Sequence, residues 1–199
     1  MEKQGCVYMS PSPKELSAHY SYADYLTWPE DERWELIDGV PYNMTPAPTP
    51  KHQEILGELF RVLANWLKGN KCRAYMAPFD VRLAETEIPD SGIDKVVQPD
   101  ISVVCDPQKI DNRGCLGAPD MIIEILSPST FKKDMGVKLA LYESSGVKEY
   151  WVVYPLDETV MVFLLHNSQY GKPTVYSVPD VIPVKLFQDL TIPLESVFR

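Results

Sequence analysis

The sequence predicts an α/β (α+β) domain in which helices flank a mixed central sheet. Three observations carry this. Residues 51–68 repeat apolar side chains at helical steps, two later runs are apolar almost throughout, as strands covered on both faces are, and a second helical stretch leads into two more strand-like runs. Helix, several strands, helix and strand is the order expected of helices laid on a sheet.

Taken in order, residues 1–14 lack periodicity, which predicts a loose arm ahead of one domain over 15–199. A chain of 199 residues exceeds the usual single domain but falls short of two independent cores. A short helix is expected over 21–26. WELIDGVPYNM reads as a β-hairpin arm, because Asp38-Gly39 is a two-residue turn signal between strand formers. In the long helix Ile55, Leu56, Leu59, Phe60, Leu63, Trp66 and Leu67 share a face, Thr49 suits the N-cap, Pro50 the first turn and Gly69 the stop. CRAYMA and FDVRLAE follow as strand candidates, then PDISVVC and PDMIIEILS. A second helix over 131–145 stops at Gly146, VKEYWVVYP and TVMVFLL add strands, and residues 173–199 hold short strand-like pieces broken by proline.

Composition narrows the function classes. Hydrophobic residues make up 45% and charged residues 24%, so the chain can bury a core and does not resemble a disordered polymer. No apolar run reaches the roughly 18 residues of a membrane helix and the first residues lack a signal peptide's apolar stretch, so a cytoplasmic protein is expected. Cys6, Cys72, Cys105 and Cys115 form no C-x-x-C pair and have no histidine at zinc spacing, which predicts reduced, packed thiols. The net charge of -9 argues against unspecific adhesion to nucleic acid, which needs a broad basic surface. It leaves room for a nuclease, since a centre built from carboxylates is itself acidic.

Two acids stand in runs otherwise built for burial. Asp100 opens QPDISVV and Glu124 lies inside MIIEILS, where an uncompensated carboxylate costs several kcal/mol by the rough scale for buried charge. On adjacent strands the two would converge on one hard cation, Mg²⁺ or Mn²⁺, which prefers oxygen ligands. The alternatives are a carboxylate capping a strand end after Pro99 and a buried glutamate paired with an arginine.

The spacing of Pro99-Asp100 and Glu124-Ile125-Leu126 resembles the PD-(D/E)XK nuclease superfamily. WELIDG at 34–39, QPDISVV at 98–104, GAPDMIIEILSPST at 117–130 and DMGVKLALYESSGVKEYWVVYP from 134 together resemble the Uma-type family of restriction endonucleases. That resemblance implies a restriction-endonuclease-like fold and metal-assisted hydrolysis of a nucleic-acid phosphodiester, more readily DNA, by a protein that is plausible as a homodimer. Asp100 and Glu124 would bind the metal. Leu126 stands where the superfamily motif has lysine, and the family position that replaces it matches Lys138. Glu35 matches an upstream acid that ligates or helps position water.

Lys138 has an argument of its own, since it lies one turn from Met135 and Tyr142 on the packing side of its helix. The rival is a surface lysine paired with Asp134. For Glu35 the rival is a solvated strand face, and for His52, a possible neighbour of the site at the head of the long helix, a surface histidine. Gln98 is a possible polar neighbour of metal-bound water, and Lys132 and Lys133 are possible phosphate contacts. Besides a nuclease, the sequence is compatible with a degenerate nuclease-fold binding or assembly module and with a metal phosphohydrolase acting on a small substrate.

Overall fold

The computed structural model describes residues 19–44, 47–127 and 133–199, the side chains of Lys133 and Asp134 aside. The expected arm over 1–14, Cys6, and Lys132 with the start of the second helix lie outside the described residues.

A short helix, α1 (Tyr22–Tyr25), leads into β1 (Trp34–Ile37) and β2 (Val40–Asn43). These pair antiparallel around Asp38 and Gly39, whose φ values of 49° and 72° are the left-handed pair a tight hairpin turn requires. A Cβ at Gly39 would also meet the His19 ring at 2.5 Å. The long helix, α2 (Pro50–Leu67), starts as its sequence predicts: the Thr49 hydroxyl accepts the His52 amide at 3.3 Å and Pro50 opens the first turn. Its buried face is Ile55, Leu56, Leu59, Leu63 and Leu67.

Next come β3 (Arg73–Met76), β4 (Val81–Arg82), β5 (Val96–Val97), β6 (Ile101–Val104), β7 (Ile110–Asp111), β8 (Gly114–Leu116) and β9 (Met121–Ile125). A π-helical turn at Lys133–Val137 runs into α3 (Lys138–Ser145), which ends at Gly146 in the left-handed conformation. The chain closes with β10 (Glu149–Tyr154), β11 (Thr159–His166), β12 (Gln169–Tyr170), β13 (Thr174–Ser177), β14 (Val181–Pro183), β15 (Thr191–Pro193) and α4 (Leu194–Val197). No helix among the described residues is long and apolar enough to cross a membrane.

The central sheet is mixed, in the order β12-β11-β10-β9-β6-β3, with β13 also on β11. β9 runs parallel to β10 and antiparallel to β6. Every residue of β6 and β9 is buried, as their unbroken apolar runs imply. Alternation divides the core: Ile101, Val103, Met121, Ile123 and Ile125 pack with α2 and the C-terminal segments, while Val104, Ile122 and Leu126 pack toward α3.

Three expectations need correction. The hairpin is no projecting arm, because β1 pairs with β5 and belongs to a six-stranded sheet, β2-β1-β5-β4-β8-β7, packed against the α3 side of the core. That second sheet is built from two- to four-residue strands, too short to show a period, so the sequence suggested one sheet where the described residues form three, the third being the β14-β15 pair. The cysteines are not all reduced, since Cys72 and Cys105 form a disulfide. They flank the Arg73–Val104 pair at the end of the β3–β6 ladder, a juxtaposition that spacing of 33 residues along the chain does not reveal.

Candidate active site

The site forms at the end of β6 and β9 where β6 begins. The β6–β9 ladder ends at the Ile101–Ile123 pair, with Asp100 immediately before β6 and Glu124 the next residue along β9. Asp100 is anchored across the strands, its Oδ2 accepting the Ile125 amide at 2.7 Å. His52 Nε2 lies 3.2 Å from the same oxygen, and the His52 side chain is 12% exposed. The Thr49 cap that starts α2 therefore also fixes the backbone of the histidine that meets Asp100.

Glu124 falls on the face toward α3. Lys138, the first residue of α3, donates to Glu124 Oε1 at 2.8 Å and reaches Glu35 Oε1 at 2.7 Å. All three are buried: Glu35 0%, Lys138 2% and Glu124 4% exposed. Tyr142, one helical turn after Lys138, donates its hydroxyl to Glu124 Oε1 at 2.7 Å. Burial, and then the Glu124 and Glu35 carboxylates, hold the Tyr142 phenol well above its ordinary range, so it remains a donor.

A second polar layer lies behind Glu35. The Gln98 amide N–H donates to Glu35 Oε1 at 3.1 Å. Its side chain points away: Arg33 donates twice to Gln98 Oε1, and Gln98 Nε2 donates to Asp80 Oδ1 and to the Tyr25 hydroxyl. Tyr25 in turn donates to Asp80 Oδ1 at 3.1 Å. Burial raises the Asp80 carboxyl above its usual range, against the pull of the Gln98 and Tyr25 donors.

The structure thus gathers Glu35, Glu124 and Lys138 into one cluster, sets Asp100 with His52 beside it, and makes Gln98 a backbone donor to Glu35. Leu126 is buried and apolar, so the third motif position brings no cation. Lys132 and the Lys133 side chain lie outside the described residues. Sequence reasoning missed Tyr142 as a site residue, although its four-residue step from Lys138 was a signal. Arg33, Tyr25 and Asp80 carried none. It also missed a buried strand acid, Glu149, whose carboxylate accepts Trp151 Nε1 and the Lys185 and Leu186 amides. Burial pushes Glu149 up, those donors pull it down, and its work is holding the C-terminal segment.

Two buried carboxyl groups, Glu35 and Glu124, thus meet one buried lysine, with Asp100 and His52 paired near them. The fold is a mixed α+β one, with a cluster of acidic side chains at a strand end. Residues 22–195 match the Uma2 family model, described as "Putative restriction endonuclease", and the chain belongs to that family. It is 26% identical over 192 residues to an uncharacterized protein of Synechocystis sp., covering 94% of this chain and 96% of that one. Its fold is similar to the crystal structure of "a putative nuclease belonging to DUF820" from Anabaena variabilis, at a TM-score of 0.72 and 24% identity, over 90% of this chain and 97% of the other.

Proposed function

We propose that this protein is a divalent-metal-dependent endonuclease that hydrolyses phosphodiester bonds of nucleic acid, DNA in the first instance. The observation that carries the reading is the buried Glu35–Lys138–Glu124 cluster beside Asp100. The enclosure gathers carboxyl oxygens at the strand end where a cation would be wanted.

The donor set fits Mg²⁺ or Mn²⁺. Asp100, immediately before β6, and Glu124, on the neighbouring strand β9, are hard oxygen donors. Among the described residues no group of three or more histidine, cysteine, aspartate and glutamate side chains forms a ready cage. Two carboxylates, with water and a phosphate oxygen completing the shell, is the usual way Mg²⁺ is held next to phosphate. When bound, the ion supplies a water of lowered pKa and polarises the phosphate.

The chain's own residues do the rest. The Ile125 amide and His52 fix Asp100, while Lys138 and Tyr142 fix Glu124, so both carboxylates are oriented before substrate arrives. Lys138 supplies the positive charge that Leu126 does not, and Glu35 holds that ammonium so that Glu124 need not neutralise it alone. A pair of copies would bring two such centres to the two strands of a duplex.

Cleavage of duplex DNA, single-stranded DNA and RNA with Mn²⁺, beside an Asp100→Ala control, tests the reading. Cutting of one polymer by the parent and none by the control is expected. One observation favours a second reading, a binding module that has lost catalysis: Glu124, one of the two carboxylates that would hold the ion, is paired with Lys138. Absence of cleavage together with absence of any Mn²⁺-induced rise in melting temperature would establish that module, and hydrolysis confined to small phosphodiesters would point to a phosphohydrolase.

A further inference from the structure

The opposite end of the same strands carries a feature the nuclease reading does not use. Cys72 and Cys105 are joined there, and a cavity of about 500 Å³ opens over the bridge. Lys71, Lys109 and Lys148 stand around it with Asp106 and Asp120. Both carboxylates are committed. Asp120 accepts the Cys105 amide at 2.8 Å and Lys148 at 2.6 Å, and Asp106 accepts the Gln108 amide at 3.0 Å. Lys109 donates to the Ala118 carbonyl and Lys71 is exposed. Three ammonium groups against two carboxylates give this cavity a positive surplus in a chain whose net charge is -9.

A disulfide in the wall of an open, cationic cavity is placed for exchange. Structural bridges are usually sealed in apolar surroundings, whereas exchange needs access for an incoming sulfur and positive charge to favour thiolates. We propose that Cys72–Cys105 is an exchangeable disulfide and that the cavity receives a small anionic thiol, one bearing a carboxylate or sulfonate.

The chemistry balances with that thiol as the only co-reactant. Its thiolate attacks Sγ of Cys105, the more exposed of the pair; the S–S bond breaks, and Cys72 leaves as a thiolate beside Lys71 and takes a proton. A second thiolate attacks the small-molecule sulfur of the mixed disulfide and releases Cys105, which is protonated in turn. Two small thiols are oxidised to their disulfide and one protein disulfide is reduced to two thiols, with the two protons passing from the small thiols to the cysteines.

The bridge ties the turn after α2 to the far end of β6. His52 on the first turn of α2 and Asp100 at the near end of β6 meet at the candidate active site. Reduction removes the covalent tie at one end of the edge strand β3 and leaves it held to the sheet by its pairing with β6.

The test treats the folded full chain with 2-mercaptoethanesulfonate or with uncharged 2-mercaptoethanol at equal thiolate concentration, quenches by alkylation and counts modified Cys72 and Cys105 by peptide mass spectrometry. The anionic reagent should open the bridge about tenfold faster, the low end of electrostatic steering. That advantage should shrink at high salt and in the Lys71→Gln/Lys148→Gln variant, whose changes are on exposed side chains. Equal rates with the two reagents, or reduction only at denaturant concentrations that unfold the chain, would overturn the proposal. So would alkylation of Cys72 and Cys105 before any thiol is added.

Discussion

The two ends of the β6–β9 pair are built alike and behave as different objects. Each strand is preceded by Pro-Asp, and each aspartate accepts the backbone amide at the end of the other strand: Asp100 takes Ile125 N–H at 2.7 Å, Asp120 takes Cys105 N–H at 2.8 Å. Each end also has a lysine. Lys148, at the Asp120 end, has a side chain 63% exposed, while Lys138, at the Asp100 end, is 3% exposed between Glu35 and Glu124. The comparison teaches that the Pro-Asp dipeptide is a strand-capping device in its own right. What separates a candidate active site from a strand end is the buried acid and base packed next to it.

The largest expected effect breaks the likeness of the two lysines. Lys138→Met removes the ammonium shared by two buried carboxylates and should cost about 3–5 kcal/mol in urea unfolding, besides abolishing cleavage. Lys148→Met loses only a solvent-screened pair and should cost about 0–1 kcal/mol. Similar losses in the two variants would show that burial does not distinguish the ends.

The two aspartates should separate next. Mn²⁺ at about 100 times its Kd should add about 2.7 kcal/mol to the parent, seen as a rise of several degrees in melting temperature. Asp100→Asn should lose that gain, whereas Asp120→Asn should keep it despite a lower starting temperature. A gain that survives in Asp100→Asn would move the ion elsewhere.

Tyr142→Phe sharpens the comparison within the buried end. Removing a hydrogen bond to a carboxylate costs about 1.5–3 kcal/mol. Because the phenol titrates far above its usual range, ultraviolet titration of the folded parent should show no Tyr142 ionisation before unfolding, and the parent and Phe curves should overlay up to that point.

The smallest effect concerns Asp80, in the layer behind Glu35. Burial raises its folded pKa, so its contribution to stability is full below the unfolded value, near 4 on the ordinary scale, and is lost as pH rises through the folded value. Asp80→Asn removes that dependence. Melting curves from acid to neutral pH should show the variant gaining on the parent as pH rises from about 4. A constant difference would mean that Asp80 titrates normally.

Much of the scaffold was legible along the chain because its signals are local. The Thr49-Pro50 start and apolar face of α2, the Asp38-Gly39 turn, the Gly146 stop and the unbroken burial of β6 and β9 all depend on neighbours a few residues away. Asp100, Glu124 and Lys138 were legible too, since a charge set among apolar residues requires a partner wherever the chain folds.

The identity of those partners was a tertiary matter. Nothing local to Glu35 tells that β1 joins a second sheet, which buries it completely and brings it to Lys138. His52 reads more readily as a surface residue, and only the placing of α2 brings it to Asp100. The disulfide makes the same point from the other side. Spacing and composition suggested free thiols, and only the antiparallel register of β3 and β6 sets Cys72 against Cys105. Sequence by itself determined which residues could not stand alone in the core; the tertiary structure decided which of them meet, because pairing across strands depends on register and sheet order, and neither is written at any one position.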